Sequence, residues 1–226
     1  MTKDIIKKTY EFAKNYHSND SSGHDFEHIE RVYKNACLLL KEAPQADSFI
    51  VKMSALLHDV DDHKLNTDGQ NTLRFLQSLD LEPKLIDNIL KTIETISFST
   101  SGSNPEFETI EMELLSDADK LDAIGAIGTC RAIIFGASKG RPLFDEAIFP
   151  KENLSKQEYK DLTRKENHTI NHFFDKLLKL KKAMQTDMGK KEAQKRHAFM
   201  VTFLNQFFEE QNVTEWQNHL SNYIEI

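Results

Sequence analysis

The chain has 226 residues, of which 39% are hydrophobic and 29% are charged, a composition typical of a soluble globular protein. Its eight glycines and five prolines are about half of average usage. This disfavours collagen, an all-β sandwich and a glycine-rich Rossmann domain, and it favours helices. The formal net charge of −7 argues against a general DNA or RNA binder, though not against a single nucleotide held in a local pocket.

The hydrophobic periodicity and the turn residues predict one all-α domain that covers residues 1–226. We expect Asp25 to cap the second helix and Gly189 to break the last long helical stretch. The connection over 138–154 is long enough to suggest a functional loop. Helices are expected over residues 2–17, 25–42, 46–60, 70–79, 83–98, from about 107, 118–137, 155–186 and 190–211.

Cysteine usage and the N-terminus bear on the compartment. Cys37 and Cys130 lack the spacing of a disulfide framework or a zinc site, which favours a reducing, cytoplasmic compartment. No apolar signal core follows Met1, and no apolar run reaches the roughly 20 residues that cross a bilayer. We therefore expect a cytoplasmic protein with no membrane partner.

The third predicted helix is apolar on nearly all sides, which is typical of a buried helix, and it ends in His58 and Asp59. An ionised aspartate at the end of a buried helix is costly unless another group compensates its charge. A divalent cation with nitrogen and oxygen ligands would do so. A hydrogen-bonded His–Asp pair that caps the helix would also do so, and the dipeptide alone favours this second interpretation.

Two other segments carry candidate ligands. In the second helix His24, His28, Arg31 and Asn35 follow one side, which places His28 at the edge of an apolar stripe. A histidine at such a position is more often structural than a metal ligand.

Farther along the chain, Asp119 and Asp122 are one helical turn apart. Small residues over 123–128 would let another helix approach closely. The alternative for this acidic segment, and for Asp117 above all, is a solvated helix start.

Together these segments resemble the HD-domain metal-dependent phosphohydrolases, which share the order His, His-Asp, Asp. The resemblance is carried by the segments 23–32, 55–60 and 117–121, and it extends to 121–128 and 171–180. It covers about residues 20–205 and is closest to the small single-domain bacterial branch labelled YpgQ-like or YedJ-like. It implies an HD-type helical bundle in which one divalent ion is held by four residues: His28, His58, Asp59 and Asp119.

The resemblance also implies roles around the metal. The ion is expected to be Mn²⁺, with Ni²⁺, Fe²⁺, Zn²⁺, Co²⁺ or Mg²⁺ as alternatives, and it would lower the pKa of a bound water. Besides binding the ion, Asp59 belongs to the catalytic group, and Asp62 would assist the attacking water. Many relatives have Glu where this chain has Asp62, and Asp61 competes for the role. Both acids could also be a solvated turn. Few spare histidines lie near the motifs, so a second tightly bound ion is not expected, although His17, His24 and His63 leave that open.

Four residues are candidate contacts for substrate phosphates. Arg31 and Lys120 each neighbour a proposed ligand, and Lys176 and His172 belong to the matching segment 171–180. The last two would lie on a polar side of the predicted long helix, with His168 and Lys179. By pattern alone this side is more often simply solvated.

Two further cationic sites rank lower. Lys139 and Arg141 in the long connection could form a mobile lid over phosphate. Arg131 ranks below them, because it lies off the Asp119 face of its helix.

We therefore expect a nucleotide pyrophosphohydrolase that converts a (deoxy)nucleoside triphosphate to a monophosphate and pyrophosphate. A phosphatase that acts on nucleoside monophosphates or other small phosphoesters is the first alternative. A non-catalytic nucleotide-binding regulatory module is the second. The expected partner is a small nucleotide, with no long nucleic acid, for a monomer or homodimer. The base and sugar preference stay open.

Overall fold

The computed structural model describes residues 2–18, 25–61, 69–99, 107–150 and 167–224, and for 97–99 it describes the backbone only. Within these ranges the regular structure is helical and no residue lies in a strand, which confirms the predicted all-α class. The α-helices are α1 (Thr2–Tyr16), α2 (Phe26–Leu39), α3 (Ser48–Leu57), α4 (Asn71–Gln77), α5 (Pro83–Ser99), α6 (Ile110–Asp122), α7 (Gly125–Ser138), α8 (Asn171–Asp175), α9 (Asp187–Gln211) and α10 (Thr214–Ser221), with 3-10 helices at Leu40–Glu42 and Leu177–Ala183.

The chain forms two compact units, Met1–Asp119 and Lys120–Ile226. The prediction of one HD domain over 1–226 is not tested by this division and stays a prediction. No single described helix is long and apolar enough to cross a membrane, and only the bent pair of α6 and α7 meets that criterion in combination.

Helix α3 is the centre of the first unit, and α1, α2 and α5 all pack against it. Its side chains are buried on nearly every side, as the apolar sequence predicted. Asp47 begins the helix, because its carboxylate accepts hydrogen bonds from the amides of Phe49 (2.8 Å) and Ile50 (3.3 Å). The core around it contains Ile50, Met53, Leu56, Leu57, Val60, Leu76, Ile89, Ala13 and Ile29.

The second unit has an aromatic core around the long helix α9, which packs against α7 and α10. Trp216 is 1% exposed, and its indole N–H donates to the Glu146 carbonyl at 3.0 Å. Phe149 stacks on that indole with 4.5 Å between the ring centroids. Through these contacts the loop before residue 150 packs against α10. This helix was not predicted from the sequence.

The predicted boundary within 107–137 is wrong. The acidic segment belongs to the end of α6 rather than to the start of a helix over 118–137. The helix ends because Ile124 is extended and Gly125 has a φ of +80°, which glycine adopts without strain. A Cβ on Gly128 would lie 2.2 Å from the Ala123 carbonyl oxygen, so this glycine makes room for its own turn and not for another helix. At Gly125, by contrast, the side chain of Arg196 on α9 does approach closely.

The predicted long helix over 155–186 is wrong for its described part, and residues 155–166 lie outside the described ranges. Lys176 leaves the helical conformation, with φ −137° and ψ −59°, and separates α8 from a 3-10 helix. Gly189 does not break a helix. It lies in the first turn of α9, where its amide donates to the Thr186 hydroxyl at 3.0 Å.

Replacement of Asp47 by alanine should destabilise the first unit by about 1 kcal/mol, because two amide donors at the start of α3 lose their acceptor. Urea unfolding followed by circular dichroism measures the change. Asp87→Ala is the matched control, since it removes an acid whose partner is the exposed Lys91 and should cost less than about 0.5 kcal/mol. Equal losses in the two variants would contradict the assigned capping role.

Candidate metal centre

His28 is placed by the start of α2. The Asp25 carboxylate accepts a hydrogen bond from the His28 amide at 2.8 Å, which fixes this residue in the first turn, as predicted from the capping pattern. The neighbouring Ile29 and Val32 are fully buried and hold this side of α2 in the core. The His28 imidazole therefore lies at a buried position, with 5% of the residue exposed.

His58 and Asp59 follow the last turn of the buried helix α3. The His58 Nδ1 lies 3.0 Å from the Ala55 carbonyl oxygen, and because a carbonyl can only accept, the ring donates from Nδ1. The Nε2 of the neutral His58 ring then carries a lone pair. This is the arrangement in which a histidine offers Nε2 to a metal while its other nitrogen is held by the backbone.

Donor atoms from three separated segments meet in the first unit. The His28 Nε2 lies 3.3 Å from the His58 Nε2, 3.4 Å from Asp59 Oδ2 and 3.6 Å from Asp119 Oδ1. The His58 Nε2 lies 3.5 Å from Asp59 Oδ2. Ligand atoms of His28, His58 and Asp119 are all within 4.8 Å of one another. These four residues are the group predicted from the sequence, and the structure brings them together.

The chemistry of this group fits a divalent cation. Both carboxylates lie within 3.6 Å of the same imidazole nitrogen, and the side chains of His28 and Asp59 are only 6% and 13% exposed. Buried carboxylates are costly without a compensating positive charge. Two imidazole nitrogens and two carboxylate oxygens suit Mn, Fe, Zn or Ni. The Asp119 side chain is 29% exposed, so the group is accessible to solvent on that side.

The neighbouring acid Asp61 has a structural partner instead. Its two carboxylate oxygens accept hydrogen bonds from the amides of Asn71 and Thr72, each at 2.9 Å. Asp61 therefore holds the start of α4, which does not support its candidacy for assisting a water. Asp62, named as the residue that assists the water, lies outside the described residues, as do His24 and His63.

Two predicted phosphate contacts lie on the ligand-bearing helices. Arg31 is one turn after His28 on α2, and its guanidinium lies 3.7 Å from the Glu27 carboxylate. Lys120 follows Asp119 on α6, but adjacent residues of a helix point about 100° apart and do not share a face.

In the second unit Lys176 and Arg141 both lie within electrostatic reach of His172. The pKa of His172 is lowered to about 4, chiefly by burial and further by the positive charges of Lys176 and Arg141. At neutral pH the His172 imidazole is therefore uncharged, so it offers hydrogen bonds and no positive charge to a phosphate.

The polar stripe predicted from His168 to Lys179 is absent from the described residues, because the helix that would form it is broken. His168 is 1% exposed, and its ring donates from Nε2 to the Ile148 carbonyl at 3.0 Å. Backbone hydrogen bonds from Thr169 and Ile170 hold the other part of the same loop. Within it, Lys139 and Arg141 both lie over the Phe135 ring.

Three polar residues have roles that the sequence analysis did not assign. The buried Asp122 forms an ion pair with Arg131, although it had been grouped with Asp119. The Arg196 guanidinium donates to the Leu121 carbonyl, and burial lowers its pKa. Asn35 donates from Nδ2 to the Ala118 carbonyl at 3.0 Å. Its signal in the sequence was an amide side chain next to the apolar stripe of α2.

Comparison with known proteins gives consistent relatives, although no protein-family model matches the chain. It is 35% identical to YpgQ of Bacillus subtilis over 199 residues, which are 84% of this chain and 85% of YpgQ. An HD-superfamily hydrolase from Bacillus thuringiensis has a solved structure with 35% identity and a TM-score of 0.74, covering 94% of this chain and 99% of that one. The structure of B. subtilis YpgQ in complex with ADP matches with 28% identity and a TM-score of 0.69, covering 91% and 97%.

The ordered His, His-Asp, Asp residues, the helical fold and these two relatives at 35% identity agree with one another. HD hydrolases depend on divalent metal ions, and the donor group in the first unit fits such an ion. The chain therefore belongs to the HD superfamily of metal-dependent hydrolases, in the branch that contains YpgQ.

Proposed function

We propose that this hydrolase is a nucleotide pyrophosphohydrolase. Water attacks the α-phosphorus of a (deoxy)nucleoside triphosphate, the bond to the bridging oxygen breaks, and a monophosphate and pyrophosphate leave. One divalent ion, Mn²⁺ in the first instance, would be held by His28, His58, Asp59 and Asp119. When bound, such an ion supplies a Lewis acid for a phosphoryl oxygen and lowers the pKa of water.

The observation that carries this proposal is the convergence of the four donor side chains from α2, the end of α3 and α6. They are separated by up to about 90 residues of sequence, yet both carboxylates lie within 3.6 Å of His28 Nε2. The hydrogen bond from His58 Nδ1 to Ala55 supports a ligand role, because it leaves Nε2 of that ring as a base.

The nucleotide part of the proposal is supported by the relative. B. subtilis YpgQ has been solved in complex with ADP, and this chain covers 97% of that structure. A nucleotide requires charge compensation at its phosphates, for which Arg31, Lys120 and Lys176 stay the predicted cations. His172 stays a predicted hydrogen-bonding contact, and Asp62 the predicted assistant of the attacking water.

The remaining expectations complete the proposal. The chain would form one HD domain, act as a monomer or homodimer in the cytoplasm, and bind neither a membrane nor long nucleic acid. The net charge of −7 supports the last point.

A panel of nucleoside tri-, di- and monophosphates with Mn²⁺ should give pyrophosphate and a monophosphate from the triphosphates. Separate assays of pyrophosphate and inorganic phosphate, with the nucleotide products resolved by chromatography, identify the bond that is cut. Inorganic phosphate as the sole inorganic product would replace the proposal by a phosphatase. If the metal-loaded protein hydrolysed none of these nucleotides, the non-catalytic module would be favoured.

Asp59→Ala should weaken Mn²⁺ binding strongly, because it removes the one proposed donor whose carboxylate lies within 3.5 Å of both imidazole nitrogens. We expect a loss greater than the roughly 10- to 100-fold that follows removal of an outer partner of a ligand. Isothermal titration with Mn²⁺ measures the affinity. Mn²⁺ should also raise the Tm of the wild type and leave that of the variant unchanged.

Asp61→Asn is the matched control, because it neutralises an acid two residues away whose carboxylate holds the start of α4. It should lower stability but keep the Mn²⁺ affinity. If Asp59→Ala bound Mn²⁺ with the affinity of the wild type, the proposed metal centre would be wrong.

The His172 imidazole should titrate with a midpoint near 4, and Lys176→Met should raise that midpoint, because the charge of Lys176 disfavours the protonated ring. The pKa should stay below 6.5, since burial is the larger cause.

The pKa of His172 in the folded protein lies below that in the unfolded chain, so the contribution of His172 to stability is complete above about pH 6.5 and is lost as the pH falls through 4. NMR of labelled histidines, with His172→Gln for assignment and the exposed Lys179→Met as control, measures the midpoints. An unchanged midpoint in Lys176→Met would show that the charge of Lys176 does not act on the His172 ring.

A further inference from the structure

Helix α2 carries a buried amide on the side that otherwise packs into the core. Asn35 lies two turns after His28 and is 7% exposed, among neighbours such as Val32, Ala36 and Leu39 that are fully buried. Asparagine is a poor helix former, and its amide is costly to bury without a partner. A polar side chain at this position therefore needs a compensating contact.

That contact reaches the helix that carries the most distant proposed ligand. The Nδ2 group of Asn35 donates to the carbonyl of Ala118 at 3.0 Å, although the two residues are 83 positions apart. Ala118 is fully buried and directly precedes Asp119. A helix carbonyl has two lone pairs, so it can accept this bond without giving up its bond within α6.

The hydrogen bond has a geometric consequence for the donor group. It joins the two helices that carry His28 and Asp119, whose ligand atoms lie 3.6 Å apart. At the other end of α6 the Glu111 carboxylate accepts from the Asp47 amide at 2.7 Å, at an exposed position. Rotation or axial sliding of α6 against α2 would break the buried bond near the site and move Asp119 away from His28.

We propose that Asn35 is a positioning residue of the metal centre, which acts by setting the place of Asp119 relative to His28 through the Ala118 carbonyl. The inference rests on the proposed function, because it takes Asp119 as a ligand. Asn35 itself does not bind the ion. A side chain of this kind acts as an outer partner of the ligands, and removal of such partners weakens metal binding by about 10- to 100-fold.

The test is a double-mutant cycle on the full chain with Mn²⁺ alone as the probe, followed by isothermal titration. Asn35→Leu, of similar size and without a donor, should weaken Mn²⁺ binding about 10- to 100-fold. Asp119→Ala should weaken it at least as much. The double variant should bind no more weakly than Asp119→Ala alone, because Asn35 acts through Asp119.

Thr92→Val is the matched control. Thr92 is 2% exposed and donates to the carbonyl of Asn88 in its own helix at 2.8 Å, so its loss removes a buried polar contact away from the donor group. It should leave Mn²⁺ affinity within about twofold of the wild type. If Asn35→Leu does not fold by circular dichroism, Asn35→Ala takes its place in the cycle, because it adds no volume to the core.

The outcomes separate this inference from the proposed function. Suppose that the wild type binds Mn²⁺ and that Asp119→Ala loses this binding. Unchanged Mn²⁺ affinity in Asn35→Leu, or additive losses in the double variant, would then overturn the role of Asn35 and leave the proposed centre intact. Unchanged affinity in Asp119→Ala would overturn both, since Asn35 would then have no ligand to place.

Discussion

Helix α3 is surrounded by α1, α2 and α5, so the polar residues that end it cannot be hydrated as they would be at a surface. His58 and Asp59 emerge into the interior of the first unit, where an uncompensated carboxylate is costly. The surroundings satisfy part of this demand, because the Ala55 carbonyl accepts from the His58 ring and the His28 Nε2 lies 3.4 Å from the Asp59 carboxylate. A divalent cation would supply the rest. The same burial that stabilises α3 therefore creates a place where binding a metal is favourable.

The other ligands depend on polar contacts that fix where helices begin and how they lie. Asp25 fixes the first turn of α2 and therefore the position of His28 within it. Asn35 and Glu111 tie α6 to the rest of the first unit at two points. Apolar packing alone tolerates small shifts, whereas a hydrogen bond at 3.0 Å does not. Metal binding requires donors placed to within a few tenths of an ångström, so such directional contacts are the ones that a metal centre needs.

Some helix starts could be predicted, because their causes are local. Asp25 is such a signal at the start of α2, and the structure confirms it, as it confirms the start predicted at residue 83. The start of α7 was not predicted although its cause at Gly125 is local, and the other failures lie where a distant contact decides. The segment around Lys176 has helical composition, yet Phe173 packs on Phe203 and Phe174 on Trp216 in the aromatic core, and the chain there divides into short pieces. His168 had a surface position in the predicted helix and is instead buried beneath Phe144.

The sequence by itself determined the helical class and the buried character of α3, because composition and periodicity are properties of the chain alone, and its ordered motif predicted a group of four donor residues. Only the tertiary structure decided which neighbouring polar groups have structural partners. Asp61 and Asp122 lie near the proposed ligands in the sequence, but the Asp61 carboxylate holds the start of α4 and Asp122 forms an ion pair with Arg131. The reason is that the donors around a carboxylate decide its role, and the fold decides which donors those are.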